Sequence, residues 1–207
     1  MANPSSLLIS SLIGLSAAAA GGAYFFYGSP WEINKPLFKD KFKHALLSTD
    51  SNTDDSLWAN KWTTLKGLSK VKNTKLAEAL RDHKDKAIDE VIRNLMKQGC
   101  KEIYDSEFVG EESESYSDFK QVCSRNVKDK VGGTWLTSSG NNVDGKWNSL
   151  SSASIDTLTE ALKDIKGKEA SAGKAELQKW CDSISALPYD GDGTTLTNNA
   201  TSYCKVS

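Results

Sequence analysis

This chain of 207 residues has four cysteines, which are its best candidates for forming disulfides or binding a metal ion. Cys100 and Cys123 lie 23 positions apart, and so do Cys181 and Cys204. The equal spacing predicts one disulfide within each pair, and disulfides persist in oxidising compartments. The alternative is four reduced core cysteines, because a free cysteine packs as a small apolar residue. A zinc site is not predicted, since the chain has no C-x-x-C motif and no histidine near the cysteines.

The two histidines are the other candidates for a base or a metal ligand. Neither His44 nor His83 belongs to an H-E-x-x-H or comparable motif. The sequence also lacks a G-x-S-x-G motif, a P-loop and a dinucleotide-binding motif. We therefore predict no catalytic, cofactor-binding or metal-binding residues, and a protein that is not an enzyme.

One polar segment partly resembles a calcium-binding loop. Asp50, Asn52 and Asp54 have the first three ligand spacings of such a loop. The sixth position is Asp55 where the motif needs glycine, and the twelfth is Lys61 where it needs glutamate. We interpret the segment as a turn.

Three stretches recur in the same order and indicate an internal duplication. The matching stretches begin at Phe38 and Val127, at Lys61 and Lys146, and at Leu76 and Leu158. The cysteine pairs follow in the same order, and the offset between matches shrinks steadily along the chain. Small deletions in a diverged tandem repeat would leave this pattern. We predict repeat 1 over residues 38–124 and repeat 2 over residues 127–205.

Apolar periodicity predicts helices in both repeats. They are expected at 54–69, from Leu76 to Met96, around Leu158–Ile165 and Leu177–Ile184, and near 117–123 and 198–204. Gly99 is predicted to end the second of these helices, and Gly167 and Gly173 to interrupt the pattern in repeat 2. Ser154 or Asp156 is the predicted cap of the Leu158 helix. Strand signals are poor. The predicted fold class is all-α, with a transmembrane helix followed by two tandem, diverged helical-bundle repeats.

An uncharged segment of 21 residues, Leu7–Tyr27, precedes the repeats. About 20 helical residues cross a hydrocarbon core of roughly 30 Å. We therefore predict that residues 1–31 form a transmembrane anchor. The alternative is a cleaved signal segment with an A-x-A site at Ala18–Ala20, although no basic residue precedes the apolar run.

Small residues recur at every fourth position of this segment. They are Ser10, Gly14, Ala18 and Gly22. Such a row lets two membrane helices approach closely, so it is a candidate packing face for self-association.

The charge pattern leaves the membrane orientation open. Lysines at 35, 39, 41 and 43 follow the apolar segment and none precedes it, which favours a cytoplasmic location for the repeats. The predicted disulfides favour an extracellular location. The net charge of −1 argues against a nucleic-acid partner.

Several short motifs carry a family resemblance. They are FKDKFKHALL from Phe38, W-x-x-K-W from Trp58, CKEIYDSEF from Cys100 and YSDFKQVC from Tyr116. With the Gly/Ala-rich N-terminal segment, they resemble the large paralogous families of uncharacterised membrane-anchored proteins of haemotropic mycoplasmas. The resemblance implies a bacterium that lives on red blood cells, and a surface antigen or host-contact protein without an assigned activity.

Taken together, these patterns predict a single-pass cell-surface protein with a helical ectodomain. Its expected partners are the membrane, a host protein or antibody, and a second copy through the transmembrane helix. No cofactor is expected. The alternative is a cytoplasm-facing, membrane-tethered scaffold with free thiols.

Overall fold

The computed structural model describes residues 35–136 and 142–206, and helices dominate both ranges. The α-helices are α1 Phe38–Lys41, α2 Asp55–Gly67, α3 Thr74–His83, α4 Glu90–Tyr104, α5 Glu114–Asp118, α6 Val127–Val131, α7 Val143–Ser152, α8 Glu160–Lys166, α9 Ala170–Ser185 and α10 Thr195–Tyr203. A π-helical turn, Phe119–Cys123, continues α5, and a 3₁₀ turn, Ile155–Thr157, precedes α8. The predicted helical fold class is confirmed.

The only two strands in the described ranges are very short. They are β1, Thr134–Trp135, and β2, Lys205–Val206, which pair antiparallel. No helix in these same ranges is both long and apolar enough to cross a membrane. The predicted span Leu7–Tyr27 and its packing face lie outside the described residues.

Helix α2 forms where the apolar pattern predicts it. Trp58, Trp62 and Leu65 recur at helical spacing, and all three are buried. The indole N–H of Trp58 donates to the Ser48 carbonyl at 3.1 Å, and that of Trp62 donates to the Lys86 carbonyl at 3.1 Å. Burial of the large rings therefore leaves neither indole N–H without a partner.

The predicted continuous helical face from Leu76 to Met96 is wrong, because the chain breaks into α3 and α4. Asp89 starts the second helix by accepting a hydrogen bond from the Ile92 N–H at 2.8 Å. Gly99, the predicted helix end, lies buried inside α4. A Cβ at this position would come within 2.5 Å of the Asn73 Oδ1 atom, so this glycine allows α3 and α4 to pack closely.

Two details of residues 127–206 also differ from the prediction. Neither Ser154 nor Asp156 caps α8, which begins at Glu160 after the 3₁₀ turn. Gly173 does not interrupt a helix but lies buried within α9, where a Cβ would be 2.2 Å from the Trp147 ring. Gly167, by contrast, interrupts the helical pattern as predicted, since it is the C-cap of α8.

The described residues form two apolar cores, and each core is built from one continuous segment of the chain. One is built from residues 38–123 and the other from residues 127–206. We refer to these segments as the first half and the second half, joined by the linker 124–126. Both halves belong to one compact unit, Asn34–Ser207.

The same backbone contacts recur in the two halves. The Phe38 N–H donates to the Ser106 carbonyl, and the Val127 N–H donates to the Leu187 carbonyl in the same way. The Phe108 N–H donates to the Pro36 carbonyl, and the Tyr189 N–H donates to the Arg125 carbonyl. Antiparallel bridges join Leu46 to Ser124 and Trp135 to Lys205. Each of these three contacts therefore has a counterpart about 80 to 90 residues later in the chain. Helices α1 to α4 correspond to α6 to α9, and α5 with its π-helical turn corresponds to α10.

The closing contact of each half differs in one respect. In the second half, Leu136 N–H donates directly to the Cys204 carbonyl at 2.7 Å. In the first half, the Tyr104 hydroxyl lies between the equivalent groups, accepting from Leu47 N–H at 3.1 Å and donating to the Cys123 carbonyl. Burial raises the pKa of Tyr104, so the phenol stays protonated and remains a donor.

Each half also ties its last helix to the start of its third. The Asp118 carboxylate accepts hydrogen bonds from Lys72 N–H at 2.9 Å and Asn73 N–H at 2.7 Å, just before α3. In the second half, Asn199 occupies the same place and its Oδ1 accepts from Thr159 N–H at 2.8 Å, just before α8. A carboxylate and an amide thus perform the same structural role.

Candidate functional site

Two disulfides fix the end of each half. The structure joins Cys100 to Cys123, with a Cα–Cα distance of 5.2 Å, and Cys181 to Cys204, with 5.5 Å. These are the pairs that the spacing indicates. All four sulfurs are buried in the cores, so the disulfides join α4 and α9 to the closing turns and leave no cysteine free in the described ranges.

The two histidines have separate, ordinary surroundings. The His44 ring faces Gly191, since a Cβ on that glycine would lie 3.3 Å from the His44 Cδ2 atom. The His83 Nδ1 atom lies 3.2 Å from the Lys86 ammonium. Within the described ranges, no three histidine, cysteine or acidic residues come together as metal ligands.

The segment that partly resembles a calcium loop has a structural role. Asp50 and Asn52 are exposed, whereas Asp54 is buried. The Asp54 carboxylate accepts from Ser48 N–H at 2.7 Å and forms an ion pair with the Arg125 guanidinium at 2.6 Å. Asp54 therefore orders its own turn and holds the linker to the first half.

A buried polar cluster joins the two halves, and we call it the junction. Its centre is Lys61 on α2, whose side chain is only 4% exposed. The Lys61 ammonium forms an ion pair with the Asp129 carboxylate of α6 at 2.7 Å and donates to the Asn126 side-chain carbonyl. Burial lowers the pKa of Lys61, and the Asp129 charge acts in the opposite direction.

The linker completes the junction with further hydrogen bonds. The Asn126 amide donates to the Lys120 carbonyl at 2.9 Å in the first half and to the Ala186 carbonyl at 2.8 Å in the second. Arg125 N–H donates to the Ala45 carbonyl at 2.7 Å. Because the buried groups are all paired, the junction fixes how the second half begins on the surface of the first.

The sequence gives one signal for this junction that periodicity alone does not reveal. Lys61 lies on the apolar stripe of α2, beside Trp62 and one turn before Leu65, where a lysine would not be expected. Its match with Lys146 in the sequence indicates only a duplication. Its partner Asp129 lies 68 residues away, so their contact depends on the tertiary fold.

The equivalent surface of the second half is open among the residues that the structure describes. A pocket of about 290 Å³ lies beside α7 and β2, lined by Asn142, Gly145, Lys146, Ser149 and Val206. The Lys146 ammonium donates to the Ser202 carbonyl at 2.9 Å. It forms no ion pair within the described ranges, and partial burial lowers its pKa.

No protein-family model, curated protein or solved structure matches this chain.

Proposed function

We propose that this protein is a membrane-anchored surface protein whose helical region, residues 34–207, lies outside the cell. It acts there by contact, as a host-contact protein or a variable antigen, without catalysing a reaction. The observation that carries the proposal is the pair of buried disulfides at equivalent places in the two halves. Such crosslinks are kept in oxidising space and are rare in a reducing cytosol.

The proposal includes a tandem duplication as the origin of the two halves. Their corresponding backbone contacts support it, as do the equivalent positions of the disulfides. The side chains that could do chemistry are not shared, because the positions of His44 and His83 correspond to Gly133 and Ile165. A scaffold that keeps its core and crosslinks while its surface side chains differ is suited to presenting variable surfaces.

A cytoplasm-facing scaffold is the second candidate. The lysines at 35, 39, 41 and 43 favour it, since basic residues after a membrane span are typical of the cytoplasmic side. This candidate requires the cysteines to be reduced thiols in the cell.

One experiment on intact cells separates the two locations. Exposed lysines, such as Lys70 at 77% and Lys179 at 72% side-chain exposure, are labelled with a membrane-impermeant amine reagent. The cells are then lysed in acid and denatured, and the thiols are alkylated with and without prior reduction. Denaturation is needed because all four sulfurs are buried.

The two candidates predict opposite results. A surface protein is labelled on intact cells, and its cysteines become alkylated only after reduction. A variant with all four cysteines changed to serine measures nonspecific alkylation, and a cytoplasmic protein reports membrane integrity. Lysine labelling only after lysis, together with four free thiols, would refute the surface location and support the scaffold.

A further inference from the structure

The junction supplies a template for how one half binds the start of another. Helix α2 presents Lys61, and the incoming helix α6 presents Asp129, one turn after the linker. Helix α6 belongs to the core of the second half through Val127, and it contacts the first half through Asp129. The junction is therefore a contact between two structural units that happen to be covalently joined.

The second half has a surface equivalent to the one around Lys61 that binds α6, and we call it the receiving side of the contact. Lys146 occupies the position of Lys61, because Trp147 and Leu150 follow it and are buried as Trp62 and Leu65 are. Val206 lies at the position of Arg125 and forms one wall of the open pocket. The second half thus has the lysine of the junction without a carboxylate to pair with it in the described part of the chain.

The first half has a helix equivalent to the bound helix α6, and we call this helix the donating side of the contact. Helix α1 corresponds to α6, and Asp40 corresponds to Asp129 in the shared K-D-K sequence. Asp40 is exposed and forms no ion pair among the residues that the structure describes. Phe38, like Val127, is turned into the core of its own half, whereas Asp40 is exposed among the described residues.

We propose that the pocket beside Lys146 binds helix α1 of a second copy of this chain, with Asp40 of that copy paired to Lys146. Each molecule then offers one receiving side and one donating side. Such a contact is heterologous, so it joins molecules head to tail into rows unless the row closes into a ring. The proposal does not depend on which side of the membrane the halves occupy.

The intermolecular contact is expected to be weaker than the junction. Within the chain, the linker holds α6 beside α2 and raises its effective concentration. Leu37 also stands where the junction has Asn126, so the side-chain hydrogen bonds of that residue have no counterpart. Attachment of both copies to one surface would raise the local concentration and promote the contact.

Zero-length crosslinking tests the contact directly. The full chain, prepared in mild detergent as an equal mixture of unlabelled and ¹⁵N-labelled protein, is treated with a carbodiimide, which joins only carboxylates and amines in contact. The expected product is a mixed-isotope peptide pair that links Asp40 to Lys146. The exposed Lys39–Asp105 ion pair at 2.8 Å is the internal control, and its crosslink must stay within one isotope.

Charge reversal separates this contact from other routes of association. Sedimentation should show that Asp40→Lys and Lys146→Glu each lower the association constant at least about tenfold, equivalent to about 1.4 kcal/mol. The doubly reversed chain should regain association. Lys179→Glu is the control, because it reverses an exposed lysine that does not line the pocket.

Two results would overturn the proposal. One is that the Lys39–Asp105 control crosslink forms but no mixed-isotope Asp40–Lys146 peptide pair is found. The other is association that survives both single reversals but is lost in Gly14→Leu, which would place self-association in the N-terminal segment.

Discussion

Removing the second disulfide is the sharpest test of how the chain is stabilised. In the variant Cys181→Ala/Cys204→Ala, the unfolded chain loses a crosslink between positions 23 residues apart. The loop-entropy relation for that length gives about 3.4 kcal/mol at 25 °C. For a chain of this size, such a loss lowers the midpoint of thermal unfolding by about 7–14 °C.

The first disulfide gives an internal comparison. Its loop has the same length, so Cys100→Ala/Cys123→Ala should lose a similar free energy. Alanine also removes buried sulfur, so the reduced wild-type chain, which keeps all its sulfur atoms, isolates the effect of the crosslinks.

Thermal unfolding followed by circular dichroism, with and without reductant, measures both effects. Each double variant keeps one disulfide, so reductant should lower its midpoint further, whereas a variant lacking all four cysteines should not respond. An oxidised wild-type chain that unfolds at the same temperature as the reduced chain would refute the reasoning.

Two further substitutions test particular contacts. Gly173→Ala should destabilise the chain by about 1–3 kcal/mol less any gain in helix propensity, because its Cβ would lie 2.2 Å from a Trp147 ring atom. The control is Gly145→Ala in α7, where the added Cβ would meet nothing within 4 Å. This variant should raise the free energy of unfolding by up to about 1 kcal/mol. Equal denaturation midpoints for the two variants would contradict the packing argument. Burial raises the pKa of Asp118 above 3.8 despite the opposing backbone hydrogen bonds, so the folded chain binds this proton more tightly. The stability of wild type relative to Asp118→Asn should therefore fall as pH rises from below 3.8 through the raised pKa, and a constant or rising difference in denaturant unfolding would contradict this.

Features with a local cause could be predicted from the sequence. The stripe of Trp58, Trp62 and Leu65 repeats at helical spacing, and α2 forms there. The cysteine spacing likewise indicated the pairs that the structure contains. In both cases the sequence separation carries the geometric information.

The break between α3 and α4 shows why periodicity was insufficient. Its apolar residues remain in phase with one helical face, and no proline or glycine marks the gap. The informative residue is Asp89, because its side chain competes for a backbone N–H and starts a new helix. The Lys86 carbonyl in the gap is then free to accept from the Trp62 indole.

The predictions that Gly99 ends a helix and that Gly173 interrupts one are wrong for a different reason. A glycine can end a helix, as Gly167 does, or can allow another element to approach closely, as Gly99 and Gly173 do. The second role depends on which side chain packs against it. The junction was missed for the same reason, since Lys61 and Asp129 meet only in the folded chain.

The placement of the disulfides also bears on how the protein responds to proteases. An exposed turn at Glu111 and Glu112 lies between Cys100 and Cys123, and another at Asp192 and Gly193 lies between the second pair. A cut in either turn divides the backbone but leaves its two pieces covalently joined. A nicked chain therefore keeps its closing helices covalently attached, and cleavage in either of these two turns releases no fragment.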